Sequence, residues 1–189
     1  GPVVETHFEN VRGPKGNLIG CRPGMCFKHA MMTLDAARPG VAAQAVGAAQ
    51  GALDLALVYA GRRKQFGIPI AGHQMVQKML ADMAMKTEAA RWLVYASASS
   101  IDQGEKNVTK RAAMAKCFAT DVAMEVATEA VQVFGGYGFM EDYPIAKCFR
   151  DAKILQIYEG TNQIQRMVIA RSMVKEDLPG LEHLNEYIP

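Results

Sequence analysis

Along most of this chain, apolar positions recur every three to four residues, which is the period of an amphipathic helix. The pattern predicts helices over residues 25–62, 72–100, 108–134, 144–153 and 161–173. Arg38, Pro39 and Gly40 are expected to bend the first helix or to divide it in two. Three long antiparallel helices followed by a final one predict an all-α fold, an up-down four-helix bundle.

The apolar stripes indicate which helix faces form the core. The helix at 72–100 is expected to bury a stripe made of Val76, Met79, Leu80, Met83, Thr87, Ala90, Val94 and Ile101. The helix at 108–134 is expected to bury Phe118, Val122, Val126, Ala130 and Val133, with Asp121, Glu125 and Glu129 facing water.

The two ends of the chain differ from the helical middle. Residues 3–11 alternate weakly in a β-like pattern, and residues 13–17 have turn chemistry, so a short β/turn segment is expected over 1–22. The helical bundle is expected over 23–173 and a tail over 174–189. In the tail, Leu181, Leu184, Tyr187 and Ile188 are expected either to pack on a partner or to be disordered.

Composition and charge exclude several classes of protein. The 189 residues are 50% hydrophobic and 21% charged, as in one globular domain and unlike a disordered chain. Lys and Arg number 21 against 19 Asp and Glu, a balance too even for nucleic-acid binding or a polybasic membrane anchor. No unbroken apolar run reaches the roughly 18 residues of a membrane span. We therefore expect neither nucleic acid nor membrane as a partner.

The cysteines predict a compartment but no metal. Four Cys do not form a disulfide framework in a domain of this size, and together with twelve Met they indicate a reducing interior. We expect the bacterial cytoplasm or the mitochondrial matrix, and no secretion. The spacing of Cys21, Cys26 and His29 does not suit a zinc site, so no bound metal is expected.

Glu159 is the first candidate for chemistry. It follows an apolar run, and Thr161 is expected to cap the last helix. Apolar flanks can partly desolvate a carboxylate and so favour its use as a general base. The alternative is a solvated loop glutamate beside a helix N-terminus.

Two further stretches have a functional and a structural interpretation. Residues 132–138 end in a run of glycines that either stops a helix or exposes backbone amides to a cofactor. Arg63 and Lys64 end a helix, where cations are favoured, or they form a phosphate clamp with the residues that follow. His73 is expected to be a hydrogen-bonding residue at a helix start.

In chain order, four motifs resemble the C-terminal helical domain of the acyl-CoA dehydrogenase family, most closely its short- and medium-chain members. The resemblance extends from about Phe8 to about Met173, and it implies that residues 1–22 are the end of a middle β-domain and a linker. The motifs are Asp35-x-x-Arg38, Arg63-Lys64-Gln65-Phe66-Gly67, Gln132-Val133-Phe134-Gly135-Gly136-Tyr137-Gly138 and Arg150-Asp151-Ala152-Lys153-x5-Glu159-Gly160-Thr161-Asn162-Gln163.

The resemblance implies FAD-dependent oxidation of an acyl-CoA thioester to the trans-2-enoyl-CoA. Glu159 matches the base that removes the α-proton, and Gly160 matches a substrate-contacting glycine. Asp35 and Arg38 match positions that contact the CoA portion. Some relatives carry their base immediately before that arginine, where this chain has Ala37, so Glu159 has no competitor.

The same matching implies a cofactor site and partners. A homodimer or homotetramer is implied, as is an electron-transfer flavoprotein as electron acceptor. The positions implied to contact FAD are Arg63, Gln65, His73, Gln74, Gln132, Val133, Phe134, Gly135, Gly136, Thr161, Asn162 and Gln163.

Complete members of that family are about twice as long as this chain. This chain is therefore expected to hold the base but only part of each binding site, to bind FAD poorly alone and to turn over little. Two alternatives remain open. One is a non-catalytic helical subunit that oligomerises or supports a partner, and the other is an enoyl-CoA reductase of the same family.

Overall fold

The computed structural model describes residues 4–106 and 108–188, most of which are helical. Two strands, β1 (Lys64–Gln65) and β2 (Ile68–Pro69), pair antiparallel in a hairpin. The predicted all-α bundle is confirmed. Its α-helices are α1 (Cys26–Arg62), α2 (Gln74–Asp102), α3 (Val108–Phe134), α4 (Gly136–Phe139), α5 (Pro144–Leu155) and α6 (Asn162–Glu176), with short 3-10 helices at Lys15–Asn17, Ile70–Gly72 and Leu178–Tyr187.

Most helix boundaries follow from local stop signals. Gly104 has φ 66° and donates its N–H to the Ile101 carbonyl, so α2 ends at the predicted glycine. The start of α2 differs from the prediction, because Ile70–Gly72 is a 3-10 turn and the α-helix begins at Gln74. The predicted glycine turn at 135–138 is also different: Gly135 turns with φ 63° and the next four residues form α4.

Of the two outcomes expected at residues 38–40, a bend or a division of the first helix, the division is wrong. Helix α1 continues through Pro39, which lies inside the helix and is buried together with Arg38. A proline removes one helical N–H donor, but the buried residues on both sides of it keep the helix continuous.

Helix α1 also corrects the expectation that no segment could span a membrane. By length and composition alone, it is long and apolar enough to do so. Core helices of globular proteins satisfy the same criterion, and the buried residues of α1 include the alanines of the core described below.

The chain divides into two compact units, Gly1–Thr33 and Leu34–Pro189. In the first unit, residues 4–14 have no regular secondary structure, and the predicted turn region contains the 3-10 helix Lys15–Asn17. The β-like pattern there forms no strand within the described residues, and Val3 lies outside them. The domain boundaries drawn from the sequence at 22 and 173 stay predictions.

The core of the second unit is built mainly from alanine. Small side chains let helix axes approach closely, and α3 packs against α2, α5 and α6. One prediction for α3 is wrong, because Phe118 is 43% exposed. The fully buried alanines of α1 and α3 are Ala42, Ala45, Ala49, Ala52, Ala56, Ala60, Ala112, Ala113, Ala115, Ala119, Ala123 and Ala130.

The tail is ordered over the described residues. Helix α6 continues to Glu176, beyond the predicted end, and Leu178–Tyr187 forms 3-10 turns that contact α6. Lys110 of α3 donates to Asp177 at 2.6 Å and fixes the start of the tail. Leu181 and Leu184 remain partly exposed, and Pro189 lies outside the described residues.

Two glycine-to-alanine substitutions test the packing. A Cβ at Gly138 would lie 2.6 Å from the Val131 carbonyl oxygen and 2.8 Å from Phe134 Cβ, so Gly138→Ala is expected to destabilise by about 1–3 kcal/mol. Gly51 lies on an exposed face of α1 with nothing within 4 Å of such a Cβ. Gly51→Ala is expected to stabilise by about 0.5–1 kcal/mol. Urea unfolding followed by circular dichroism measures both, and equal stability of the two variants would contradict this packing.

Candidate functional site

The loop between α5 and α6 holds its residues in an uncommon backbone conformation. Glu159 has φ 53° and Gly160 has φ 93°, so both lie in the left-handed region. The loop closes where the Asn162 N–H donates to the Gln156 carbonyl at 3.0 Å. Thr161 caps α6 as predicted, its hydroxyl accepting from the Ile164 N–H at 3.4 Å.

The Glu159 carboxylate is half-buried, and one of its oxygens has no partner. Oε2 is buried and accepts no hydrogen bond from the described residues. A buried carboxylate oxygen without a hydrogen bond carries a desolvation penalty that a bound hydrogen-bond donor would relieve. Its lack of a partner distinguishes Glu159 from a carboxylate held in a structural network.

The surroundings of Gly160 leave no room for a side chain. A Cβ at this position would lie 2.6 Å from Gln165 Nε2 and 3.9 Å from Arg38 Nη2. Gln165 is fully buried and donates to the carbonyls of Glu159 and Gly160, at 3.2 and 3.0 Å. Buried atoms Gln165 Oε1 and Arg38 Nε lack partners among the residues described. Unpartnered polar atoms therefore surround the loop.

Asp35 and Arg38 lie together beside this loop. Arg38 Nη1 donates to Asp35 Oδ1 at 2.6 Å, and the side chains are 6% and 25% exposed. Thr109 donates to the other Asp35 oxygen at 2.7 Å. The structure thus brings Arg38, Glu159 and Gly160 together, while Asp35 is held one step further out.

A buried lysine lies under the loop. Lys116 of α3 has no exposed surface, and its Nζ donates to the Gly160 carbonyl and to Asn162 Oδ1, both at 2.9 Å. Burial lowers the pKa of this ammonium to about 8, and the positive charge of Arg38 acts in the same direction. Electrostatic interactions with Cys117, Asp121 and Glu159 oppose that shift in the pKa of Lys116.

Asp121 joins both ends of the loop to α3. Its carboxylate accepts from Asn162 Nδ2 at 2.7 Å, from Gln156 Nε2 at 2.6 Å and from Arg166 Nη2 at 2.6 Å. Burial acts to raise the pKa of Asp121, but these three hydrogen bonds outweigh burial and lower it. The prediction that Asp121 simply faces water is therefore wrong.

Asn162 is part of this network and is 3% exposed. Its Nδ2 donates to Thr120 Oγ1 at 2.8 Å as well as to Asp121, while its Oδ1 accepts from Lys116. Thr161 and Gln163 line a separate cleft of about 440 Å³ with Asp121, Gln156 and Arg166. The predicted FAD contact of Asn162 would thus have to be made by a side chain already engaged inside the chain.

Many of the other predicted cofactor residues line one cleft. Its volume is about 560 Å³, and the predicted residues among its walls are Arg63, Gln65, Val133, Phe134, Gly135 and Gly136. Aromatic rings line it as well: Tyr59 stacks on Phe134 with centroids 4.1 Å apart, and the Arg63 guanidinium lies 5.5 Å from the Tyr137 ring centroid. The cleft combines flat apolar surfaces with a cation.

The remaining predicted residues lie at the edges of this region. The hairpin of β1 and β2 turns at Phe66 and Gly67, both with positive φ, and leaves Phe66 94% exposed. His73 Nε2 lies 3.3 Å from the Gln65 carbonyl, so it braces the hairpin as well as preceding α2. Gln74 and Gln132 are exposed and do not line the cleft.

Neither metal ligation nor a disulfide is part of this site. Residues 4–106 and 108–188 contain no group of three or more His, Cys, Asp or Glu arranged to hold a metal ion. All four cysteines are free thiols, and only Cys117 lies near the loop, buried beside Asp121.

Sequence reasoning missed Lys116, Asp121 and Tyr59 as parts of these sites. For Lys116 a signal existed. It falls on the alanine stripe of α3, between Ala112 and Ala123. A charged side chain buried there is unfavourable unless it has hydrogen-bond partners. Tyr59 carried no signal beyond that of an aromatic residue on a buried helix.

Comparison with known proteins identifies relatives of this chain. Residues 24–174 match the family model described as acyl-CoA dehydrogenase, C-terminal domain. A probable acyl-CoA dehydrogenase of Mycobacterium tuberculosis is 56% identical over 174 residues, which cover 92% of this chain and 44% of that protein. The solved butyryl-CoA dehydrogenase of Megasphaera elsdenii superposes with a TM-score of 0.79 at 54% identity, over 81% of this chain and 40% of that chain.

A third relative is named as part of a reductase complex. A subunit of the caffeyl-CoA reductase–Etf complex of Acetobacterium woodii is 48% identical over 169 residues, which cover 89% of this chain and 44% of that protein. The chain spans less than half the length of each of these three relatives.

The buried lysine predicts an unusual pH dependence of stability. The pKa of Lys116 falls from 10.5 to about 8 on folding, so between these values the unfolded chain binds the additional proton. Stability therefore rises with pH across this window, and below pH 8 the buried charge opposes folding. The unfolding free energy of the wild type minus that of Lys116→Met is expected to rise by up to about 3 kcal/mol from pH 8 to 10.5.

Urea unfolding at several pH values from about 7 to 10.5 measures this difference. Lys147→Met serves as the control because Lys147 is exposed and its ion pair with Asp151 raises its pKa. A difference that stays flat for Lys116→Met, or that rises equally for Lys147→Met, would show that Lys116 keeps its proton on folding.

Proposed function

Because this chain belongs to the acyl-CoA dehydrogenase family, whose C-terminal domain it forms, we propose that the whole protein oxidises an acyl-CoA thioester to the trans-2-enoyl-CoA. The observation that carries this proposal is the buried, unpartnered Oε2 of Glu159 beside Gly160. A solvated loop glutamate would need no such burial.

Glu159 is the base of the proposed reaction. The proton on the α-carbon moves to its carboxylate, and the electron pair left behind forms the new Cα=Cβ bond. The β-hydrogen leaves with its own electron pair as hydride. Because a thioester α-proton is only weakly acidic, the base must act where water is largely excluded and where developing charge on the carbonyl oxygen is stabilised. The backbone N–H of Glu159 is the proposed donor to that oxygen.

The residues around the loop position substrate. Because Gly160 has no side chain, it permits close approach of the acyl group. The packing also requires a glycine there, since a Cβ would collide with Gln165. Arg38 and Asp35 are proposed to face the CoA portion, and the unpartnered Arg38 Nε is a donor available for it. Ala37 carries no acid or base, which leaves proton removal to Glu159 alone.

FAD is the proposed cofactor, and the described residues fit part of it. The 560 Å³ cleft offers flat aromatic walls for a ring system, and Arg63 supplies a cation for a pyrophosphate. When bound, FAD would accept the β-hydrogen as hydride. The other proposed contacts to FAD are Gln65, His73, Gln74, Gln132, Val133, Gly135, Gly136, Thr161, Asn162 and Gln163.

The proposed partners follow from the relatives. The Acetobacterium woodii relative belongs to a complex with Etf, and an electron-transfer flavoprotein is the proposed electron acceptor of this protein. A homodimer or homotetramer is proposed as the assembly, in the bacterial cytoplasm or the mitochondrial matrix.

An enoyl-CoA reductase is the second candidate, favoured by the reductase name of that relative. The same carboxylate would return the proton to the α-carbon, so the geometry of the site serves both directions. Steady-state assays with an acyl-CoA plus an electron acceptor, and with an enoyl-CoA plus a reduced donor, decide between them.

The base is tested in the full-length, FAD-loaded protein. Glu159→Gln removes the proton acceptor with little change in shape, and kcat is expected to fall by about 10²–10⁴-fold. Exchange of the substrate α-hydrogen in D₂O, followed by mass spectrometry, should fall in parallel. Glu182→Gln, at an exposed position in the tail, is the control and should leave both unchanged. Wild-type exchange in Glu159→Gln would exclude Glu159 as the base.

The 189-residue chain alone is expected to bind FAD poorly, because the chain spans less than half of its relatives and holds only part of the proposed site. After incubation with excess FAD and gel filtration, its visible spectrum should lack stoichiometric flavin, whereas the full-length protein should retain it. A yellow 189-residue chain with one flavin per molecule would mean that this domain holds the cofactor by itself.

A further inference from the structure

Lys116 is the one fully buried lysine among the described residues, and both of its bonds lead to the loop that carries Glu159. Its Nζ donates to the carbonyl of Gly160, the residue next to Glu159, and to the side chain of Asn162. Within residues 4–106 and 108–188, both hydrogen bonds of Nζ go to these neutral oxygens and it forms no ion pair. The lysine therefore holds backbone and amide oxygens rather than a counter-ion.

Burying the Lys116 ammonium in this position costs free energy. Lys116 sits on the alanine stripe of α3, where an apolar side chain of similar length would pack without desolvating a charge. Burial lowers its pKa to about 8. Because the desolvation of Lys116 opposes folding, we look for a role of this side chain beyond packing.

We propose that Lys116 is a positioning residue for proton removal by Glu159. The proposal rests on the proposed function, because it assigns to Lys116 the task of holding the base in place. Glu159 and Gly160 both adopt positive φ. The bond from Lys116 to the Gly160 carbonyl fixes the peptide between Gly160 and Thr161, one residue beyond Glu159, and so restricts the backbone that carries the carboxylate.

The second hydrogen bond of Lys116 connects it to the hydrogen-bond network around Asn162 and Asp121. By donating to Asn162 Oδ1, Lys116 orients that amide so that its Nδ2 reaches Thr120 and Asp121. Asp121 in turn accepts from Gln156, at the other end of the loop. One ammonium on a rigid helix thereby fixes the loop at Gly160 directly and at both of its ends indirectly.

The charged and titratable groups that face Lys116 come from three elements. Cys117 and Asp121 lie on α3 itself, Arg38 lies on α1, and Glu159 lies in the loop. When Lys116 loses its proton, the charge-assisted bonds to Gly160 and Asn162 become ordinary ones and weaken. The grip on the loop is thus expected to weaken as the pH rises through the pKa of Lys116.

The test uses the full-length, FAD-loaded protein and Lys116→Met, which keeps most of the side-chain length and removes the donors. We expect kcat to fall about 100-fold with KM changed less than about 3-fold, because a misplaced base slows the proton transfer more than it weakens binding. The α-hydrogen exchange in D₂O should fall with kcat, and bound flavin should be unchanged. Lys110→Met is the matched control on the same helix, since Lys110 pairs with Asp177 in the tail.

A conservative variant and a pH profile keep the test decisive if Lys116→Met does not fold. Lys116→Gln retains one donor, and its kcat should lie between those of the wild type and Lys116→Met. In the wild type and in Lys110→Met, kcat should decline as pH rises past about 8. Lys116→Gln should lack this decline, because it has no proton to lose.

The outcomes separate this proposal from the proposed function. Wild-type kcat in folded Lys116→Met, or a pH decline that persists in Lys116→Gln, overturns the positioning role. A rise in KM with unchanged kcat also overturns the positioning role, since it would assign Lys116 to substrate binding. If Glu159→Gln in the same assays keeps wild-type kcat, the proposed base is wrong whatever Lys116 does. If Glu159→Gln is inactive while Lys116→Met is normal, only the positioning role fails.

Discussion

The attachment of the loop 156–161 to α3 through buried hydrogen bonds is the interaction on which the candidate site depends. Apolar contacts are not directional and do not by themselves hold the loop at one position. Hydrogen bonds fix both distance and angle. With Lys116 holding Gly160 and Asp121 holding Gln156 and Asn162, the backbone at Glu159 has few ways to relax from its left-handed conformation. The helical bundle supplies the rigid surface from which these donors and acceptors project.

The helices were predictable because their signals are local. The apolar period of α3 and the loop residues on either side of it gave its observed bounds, Val108–Phe134, and Gly104 marked the end of α2. The hairpin was not predicted, because strands of two residues are too short to show an alternating pattern. The continuity of α1 through Pro39 was not foreseeable either, since it depends on burial by other helices.

The candidate site was predictable where a motif marks it and hidden where its residues are distant in sequence. The loop with Glu159 and Gly160 stands out as a polar, glycine-containing segment after an apolar run. The hydrogen bond from Lys116 to Gly160 joins residues 44 positions apart. The sequence around Lys116 contains no signal that identifies Gly160 as its partner. Asp121 was placed on a solvated face because its three partners come from other elements. Long-range pairing of polar groups is a property of the packed fold, and periodicity does not encode it.

The alanine core has a consequence for how this domain responds to temperature. A fully buried alanine such as Ala45 or Ala123 removes far less apolar surface from water than a leucine or phenylalanine would. The heat-capacity increase on unfolding scales with the apolar surface that becomes exposed, and it sets the curvature of the stability curve. A domain whose interior is filled by methyl groups is therefore expected to have a shallow curve, with stability that changes little between cold and warm conditions. Cold denaturation, which depends on strong curvature, should lie at lower temperatures than in a domain of equal stability with a bulkier interior.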